Sequence, residues 1–238
     1  MKRVLIVALF LISLVTGSCS AFAAPLFSQA NKQAVILLPL EEWMSTWNRN
    51  TYVSLLERAG YSVDVLTDGN VSISFLRTGL ARYDIIILRT DSFQYEGMDY
   101  FCSGEPFTYG ARHTYSAEIS SQEVSVGACV GFSTLFLRDN YPANSLRHGL
   151  VFVIGSDSGV LASSFLASGA AAFIGYFETF SLSWGRMDVF SEKLLSYLAS
   201  GSSVSDSVLQ LTIYVHLGHG GTANWPSVYW TGDGTYKI

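Results

Sequence analysis

Tyr83-Asp84-Ile85-Ile86-Ile87-Leu88-Arg89-Thr90-Asp91-Ser92 is the stretch that decides the fold of this 238-residue chain. Three isoleucines and a leucine form a short unbroken apolar run, and four polar or charged residues end it. A strand with one wet face would alternate; an unbroken run suits a strand buried on both faces, as in a parallel sheet covered by helices.

Moving toward the N-terminus, Ala34-Val35-Ile36-Leu37-Leu38 is another such run, ended by Pro39, and Tyr61 to Leu66 reads as the strand between the two. From Ser45 to Ala59 the apolar residues Trp47, Val53, Leu55, Leu56 and Ala59 recur at roughly helical spacing, with Gly60 at the place of a helix C-cap. Val71 to Leu80 reads as a second helix. Strand, helix, strand, helix, strand at this spacing is the pattern of a parallel sheet with crossover helices.

Toward the C-terminus the rhythm breaks. Residues 93–142 are rich in Tyr, Ser, Gly and Glu, and read as an insertion containing a hairpin or a short helix. The pattern returns with the strand Leu150 to Ile154, a helix from Val160 to Ala167 closed by Gly169, and a strand from Ala171 to Gly175. Met187 to Leu198 and Ser203 to Val215 read as helices, the second with Ser203 or Ser205 as N-cap. Ser227 to Trp230 and Thr235 to Ile238 supply a closing strand or hairpin. The expected fold is α/β: a three-layer, flavodoxin-like sandwich whose mostly parallel sheet of about six strands carries helices on both faces.

The N-terminus has Lys2 and Arg3, the 12-residue apolar run Val4 to Val15, and small or polar residues leading to Ala21-Phe22-Ala23. Those are the parts of a secretory signal in order, and the apolar run is too short for a membrane span of about 20 residues. Residues 1–23 are expected to be a signal peptide and 24–238 a single domain, secreted, periplasmic or at the cell surface, with no membrane span after cleavage. A lipoprotein box ending at Cys19 is the competing reading, and Thr16 fits it poorly. Loss of Lys2 and Arg3 takes the formal net charge from −5 to −7, which leaves no basic patch for phosphates and argues against nucleic acid. Two cysteines stay in the mature chain, Cys102 and Cys129. An even count in an exported protein accommodates one bridge; two buried free thiols are the alternative.

In an open α/β sheet, reactive and binding groups gather past the carboxyl ends of the strands. Arg89-Thr90-Asp91-Ser92 follow one apolar strand and Gly155-Ser156-Asp157-Ser158-Gly159 follow the next. With these, the chain resembles the caspase-like cysteine peptidases, which include gingipains, clostripain and separase, and in particular their exported prokaryotic relatives. The resemblance extends to Gly104-Glu105-Pro106-Phe107, to the small-residue run Ala162 to Gly175, to Leu198 through Val204, and to Tyr229-Trp230-Thr231-Gly232-Asp233. It implies a caspase-like fold with the catalytic His after the first of these strands and the nucleophilic Cys after the second.

This chain departs from that pattern where it matters most: Asp91 stands in the His position and Ser156 in the Cys position. A carboxylate with a reference pKa of about 3.9 is a weak base against a serine hydroxyl. The expectation is a catalytically inactive relative that acts as an interaction module for a protein, peptide or glycan outside the membrane. The alternative is a hydrolase with Ser156 as nucleophile and His113 or His148 completing a triad with Asp91. Asp157 or Ser158 is expected to cap the following helix, although that helix end also suits an anion. Trp43 and Tyr95 are expected on one rim, lining a shallow groove with Glu105, Asp157 and Ser158 nearby. His216 and His219, with Asp233, fall in loop composition and do not make a metal set. No metal or cofactor is expected.

Overall fold

The computed structural model describes residues 32–42, 49–177, 184–218 and 227–238. Residues 1–23, expected to be a signal peptide, and with them Cys19, as well as Trp43, Trp47 and His219, lie outside the described residues.

The apolar runs form the strands they predict. β1 (Gln33–Leu38), β2 (Ser62–Thr67), β3 (Ile85–Arg89), β8 (Leu150–Ile154) and β9 (Ala172–Phe177) are parallel, and β10 (Ser227–Gly232) runs antiparallel to β9. The order across this six-stranded sheet is β10-β9-β8-β3-β1-β2. Residues 235–238 add no strand to it.

Side chains of successive strand residues point to opposite faces, so each run feeds two cores. Ala34, Ile36, Ile85, Ile87, Phe152 and Ile174 pack on one face with Leu55 and Leu56 of α1 (Arg49–Arg58), Leu194 and Leu198 of α7 (Trp184–Ala199), and Leu211 of α8 (Val204–Gly218). Val35, Leu37, Ile86, Leu88, Val151 and Val153 pack on the other with Ile73 and Leu76 of α2 (Ile73–Thr78), Phe136 of α5 (Thr134–Asn140) and Phe165 of α6 (Ala162–Ala167). The three-layer arrangement follows from that alternation.

The helices begin and end where local chemistry dictates. Gly60, at φ +91°, turns the chain from α1 into β2, a conformation costly for a residue with a Cβ. Ser203 caps α8, its Oγ accepting from the Asp206 amide at 3.2 Å. The single helix expected over Val71 to Leu80 is shorter: a 3-10 turn at Asp68–Asn70 precedes α2, and another follows at Leu80–Arg82.

The segment 93–142 holds more than a hairpin or a short helix. β4 (Ser92–Tyr95), β5 (Met98–Pro106), β6 (Val124–Val126) and β7 (Cys129–Phe132) form a second, antiparallel sheet in the order β4-β5-β7-β6. The short helices α3 (Tyr109–Thr114) and α4 (Ser116–Ser120) connect β5 to β6. Phe101 and Phe132 of this sheet belong to the same core as α2 and α5. Among the described residues, no helix is long and apolar enough to cross a membrane.

Candidate functional site

The strand order fixes where a cleft can open. The chain passes from β1 to β2 in one direction, then crosses back over β1 to β3, so β1 and β3 flank a topological switch point. Past their carboxyl ends lies a cleft of about 270 Å³. Pro39, Leu40, Pro106 and Ala128 give it apolar walls, and Cys102 and Cys129 line it as well. Glu42, Asp68, Asp91 and Glu105 bring four carboxylates to it, and among the described residues no lysine, arginine or histidine lines it. None of the four is ion-paired among the described residues, whereas Glu41, Asp84, Glu118, Asp139 and Asp188 each bond an arginine.

Each wall is held by hydrogen bonds. The Glu42 amide donates to Asp68 Oδ1 at 3.2 Å, tying the loop after β1 to the turn after β2. Asp91 Oδ1 accepts from the Ser92 amide at 2.9 Å, and the Asp91 carbonyl accepts from the Cys102 amide at 2.9 Å. Glu105 is a structural bracket more than a rim residue. Its Oε1 accepts from the Ile73 amide at 2.8 Å, at the start of α2, and its Oε2 accepts from the Tyr115 hydroxyl at 2.6 Å. Burial, and then that bond to Glu105, push the Tyr115 phenol well above its ordinary value of 10. Cys102 and Cys129 are joined by a disulfide across β5 and β7, with Cα atoms 5.7 Å apart.

Asp91 and Ser156 lie on neighbouring strand ends. Arg89 pairs with Ile154, the Thr90 amide donates to the Ile154 carbonyl, and the Ser92 hydroxyl donates to the Ser156 carbonyl at 3.0 Å. The structure thus brings the two positions side by side, with Asp91 lining the cleft and Ser156 outside its lining. Among the described residues no imidazole bonds to either. His148 is exposed at the amino end of β8, where its charge helps to hold the Asp233 carboxyl below the usual range, behind the larger effect of hydrogen bonds from Thr235. His113 is exposed on α3. His216 bonds the Thr212 carbonyl at 2.7 Å within α8.

Three expected roles need correction. Neither Asp157 nor Ser158 caps a helix through its side chain: Asp157 sits at φ +53° ahead of a 3-10 turn, Ser158–Leu161, with no side-chain cap bond. Ser158 is fully buried, donating to the Val153 carbonyl at 3.0 Å and accepting from the Tyr176 amide at 2.9 Å. It fastens the turn to β8 and β9 and is closed to a ligand. Tyr95, half exposed at the tip of the β4–β5 hairpin, lines a different cleft with Arg112, Ser116 and Ile119, and Trp43 lies outside the described residues. Glu105 keeps its place at the cleft, with both oxygens already engaged.

Sequence reasoning missed Glu42 and Asp68, which follow β1 and β2. The rule that singled out the residues after β3 and β8 would have found both had it been applied to every strand end. It also missed the ion pair that steadies β3. Arg89, 2% exposed, donates from Nε and Nη2 to the two carboxylate oxygens of Asp188 at 2.7 and 2.9 Å, under the ring of Trp184. Nothing near Arg89 in sequence announces a partner 99 residues away.

No protein-family model matches the chain, and no curated protein does. Among solved structures it is similar to the crystal structure of the Drosophila initiator caspase Dronc, with 10% identity over 87% of this chain and 79% of that one, at a TM-score of 0.39. An overlap of that size leaves the roles of Asp91 and Ser156 to be read from their own surroundings.

Proposed function

We propose that this chain is an exported, catalytically inactive relative of the caspase-like peptidases, and that it works as a binding module through the cleft at the β1/β3 switch point. One observation carries the reading: Asp91, Cys102, Glu105 and Cys129 converge on a single cleft, while among the described residues the neighbouring Ser156 is bonded through its carbonyl to Ser92 and to no imidazole. Acyl transfer from serine needs a base that titrates near neutrality, and a carboxylate alone supplies little driving force. A cleft with apolar walls and a few convergent polar groups suits recognition instead. Its unpaired carboxylates favour a ligand or peptide segment carrying positive charge over an acidic one.

A binding assay tests this, using the mature chain and a fluorescent lysine-bearing peptide, with its glutamate counterpart as control. The lysine peptide is expected to bind and to weaken as salt rises, and Asp68→Asn with Asp91→Asn should weaken it further. Equal binding of both peptides, or turnover of a peptide or ester that Ser156→Ala abolishes, sinks the proposal. The second outcome would establish the hydrolase reading.

A further inference from the structure

The disulfide spans a slip in the ladder between β5 and β7. Cys102 pairs with Gly131 and Pro106 with Cys129, so β5 spends four steps where β7 spends two, and the register slips between them. Pro106, at the far side of the slip, has no amide to donate. The extra residues on β5 bulge toward the main sheet: the Gly104 amide donates to the Val71 carbonyl at 2.9 Å, and a Cβ on Gly104 would collide with the Asp68 carbonyl. The inner wall is therefore anchored independently. The outer wall is the end of the β6–β7 hairpin: Val126 pairs with Val130, Ser103 Oγ donates to the Val130 carbonyl at 2.7 Å, and beyond that pair the turn carrying Ala128 is closed by the bond from the Gly127 amide to the Cys129 carbonyl. The covalent link between the walls is the disulfide, and both of its cysteines line the cleft.

We infer that the Cys102–Cys129 bridge is a redox lock on the cleft: a dithiol that enters the cleft reduces it and frees the outer wall. The inference rests on reading this cleft as the binding site. In the first step a reductant thiolate attacks one cysteine sulfur, forming a mixed disulfide and releasing the other cysteine as thiolate. The second reductant thiol then displaces the first cysteine. Two electrons pass from the dithiol, which leaves as a cyclic disulfide, and both cysteines take up protons as thiols.

Hydrogen exchange followed by mass spectrometry on the native chain, with and without dithiothreitol, reads the wall without any ligand. Reduction is expected to go to completion without denaturant and to speed exchange at least about tenfold in residues 127–130, leaving β1, β3 and β8 unchanged. A Cys102→Ser, Cys129→Ser double variant should reproduce the reduced pattern. Unchanged exchange at 127–130, a bridge that resists dithiothreitol until the protein unfolds, or loss of protection across the whole chain on reduction would each overturn the inference. If the wall loosens as expected yet no peptide binds the oxidised protein, the failure belongs to the binding proposal and not to the lock.

Discussion

The two sheets of this protein are held together by different physics. In the parallel sheet, β1, β3 and β8 are buried on both faces, and stability comes from apolar area removed from water on two sides. The second sheet also buries Phe101, Val124, Val130 and Phe132 in one of those cores, but its strands are short or irregular and it adds particular polar contacts: Glu105 with Ile73 and Tyr115, Ser103 Oγ with the Val130 carbonyl at 2.7 Å, Thr90 Oγ1 with the Cys102 carbonyl at 2.7 Å, and the disulfide. A sheet of the first kind tolerates the loss of any one hydrogen bond, whereas one of the second kind can be adjusted locally. The cleft lies where the two meet.

The sharpest way to break the contrast is to hollow the parallel sheet. Phe152 is fully buried and its ring faces that of Tyr176, with centroids 6.4 Å apart. Phe152→Ala should cost about 3–5 kcal/mol in denaturant unfolding, from lost transfer free energy plus the cavity left behind. A loss below about 1 kcal/mol would mean that this core is looser than its burial indicates. Next comes the buried Arg89–Asp188 ion pair inside it. Asp188→Ala strips Arg89 of its carboxylate and should cost about 3 kcal/mol, because an uncompensated buried charge is worse than none. Replacing both, as Arg89→Met with Asp188→Leu, should recover much of that loss.

These strands were legible because an apolar run with no polar interruption has few other places to go. The second sheet was not. β5 reads Met98-Asp99-Tyr100-Phe101-Cys102-Ser103-Gly104-Glu105-Pro106, with Gly and Pro that ordinarily argue against a strand, and β6 and β7 have three and four residues. Local propensity carries no information about a strand stabilised by a cross-link and by side chains from other elements. The site was half legible for the same reason. Asp91 could be found from its place after β3, but the convergence of Glu105 and both cysteines on the same cleft depends on how the second sheet docks.

The junction between the sheets gives intermediate effects. Tyr141, just past α5, donates its hydroxyl to the Leu76 carbonyl at 2.7 Å and accepts from the Leu80 amide at 3.1 Å, closing the end of α2. Tyr141→Phe leaves both groups unpaired and should cost about 1–3 kcal/mol. Burial pushes the Tyr141 phenol up from 10 to about 12. The unfolded chain therefore loses this proton first as pH rises. The contribution of Tyr141 is intact below about pH 10 and disappears as pH climbs toward 12, and Tyr83, also raised to about 12 by burial and then by its bond to Asp64, adds to the same alkaline loss. Stability measured from pH 9 to 12 should fall more gently in Tyr141→Phe than in the wild type. Glu105→Gln, which removes the charge from two of the brackets on α2 and Tyr115, should cost about 1 kcal/mol and loosen the second sheet ahead of the first.

The smallest effect is expected at the position that the peptidase resemblance makes most suspect. Ser156 is half-buried at the carboxyl edge of β8, and it is its backbone carbonyl, not its side chain, that accepts the bond from Ser92. Ser156→Ala removes the hydroxyl and leaves that backbone tie in place. Stability should stay within about 0.5 kcal/mol of the wild type, the usual range for a substitution away from buried polar networks. Peptide affinity should also be unchanged, since Ser156 does not line the cleft that holds Asp91. The contrast with Ser158, two residues on, makes the experiment decisive. Ser158→Ala would strip the buried Val153 carbonyl and Tyr176 amide of their shared partner and should cost about 1–3 kcal/mol, although both serines occupy one five-residue turn. Unfolding curves for the two variants, run beside an ester-hydrolysis assay, separate the cases. Equal losses of stability would contradict the assigned contacts, and hydrolysis lost only in Ser156→Ala would make that hydroxyl a nucleophile.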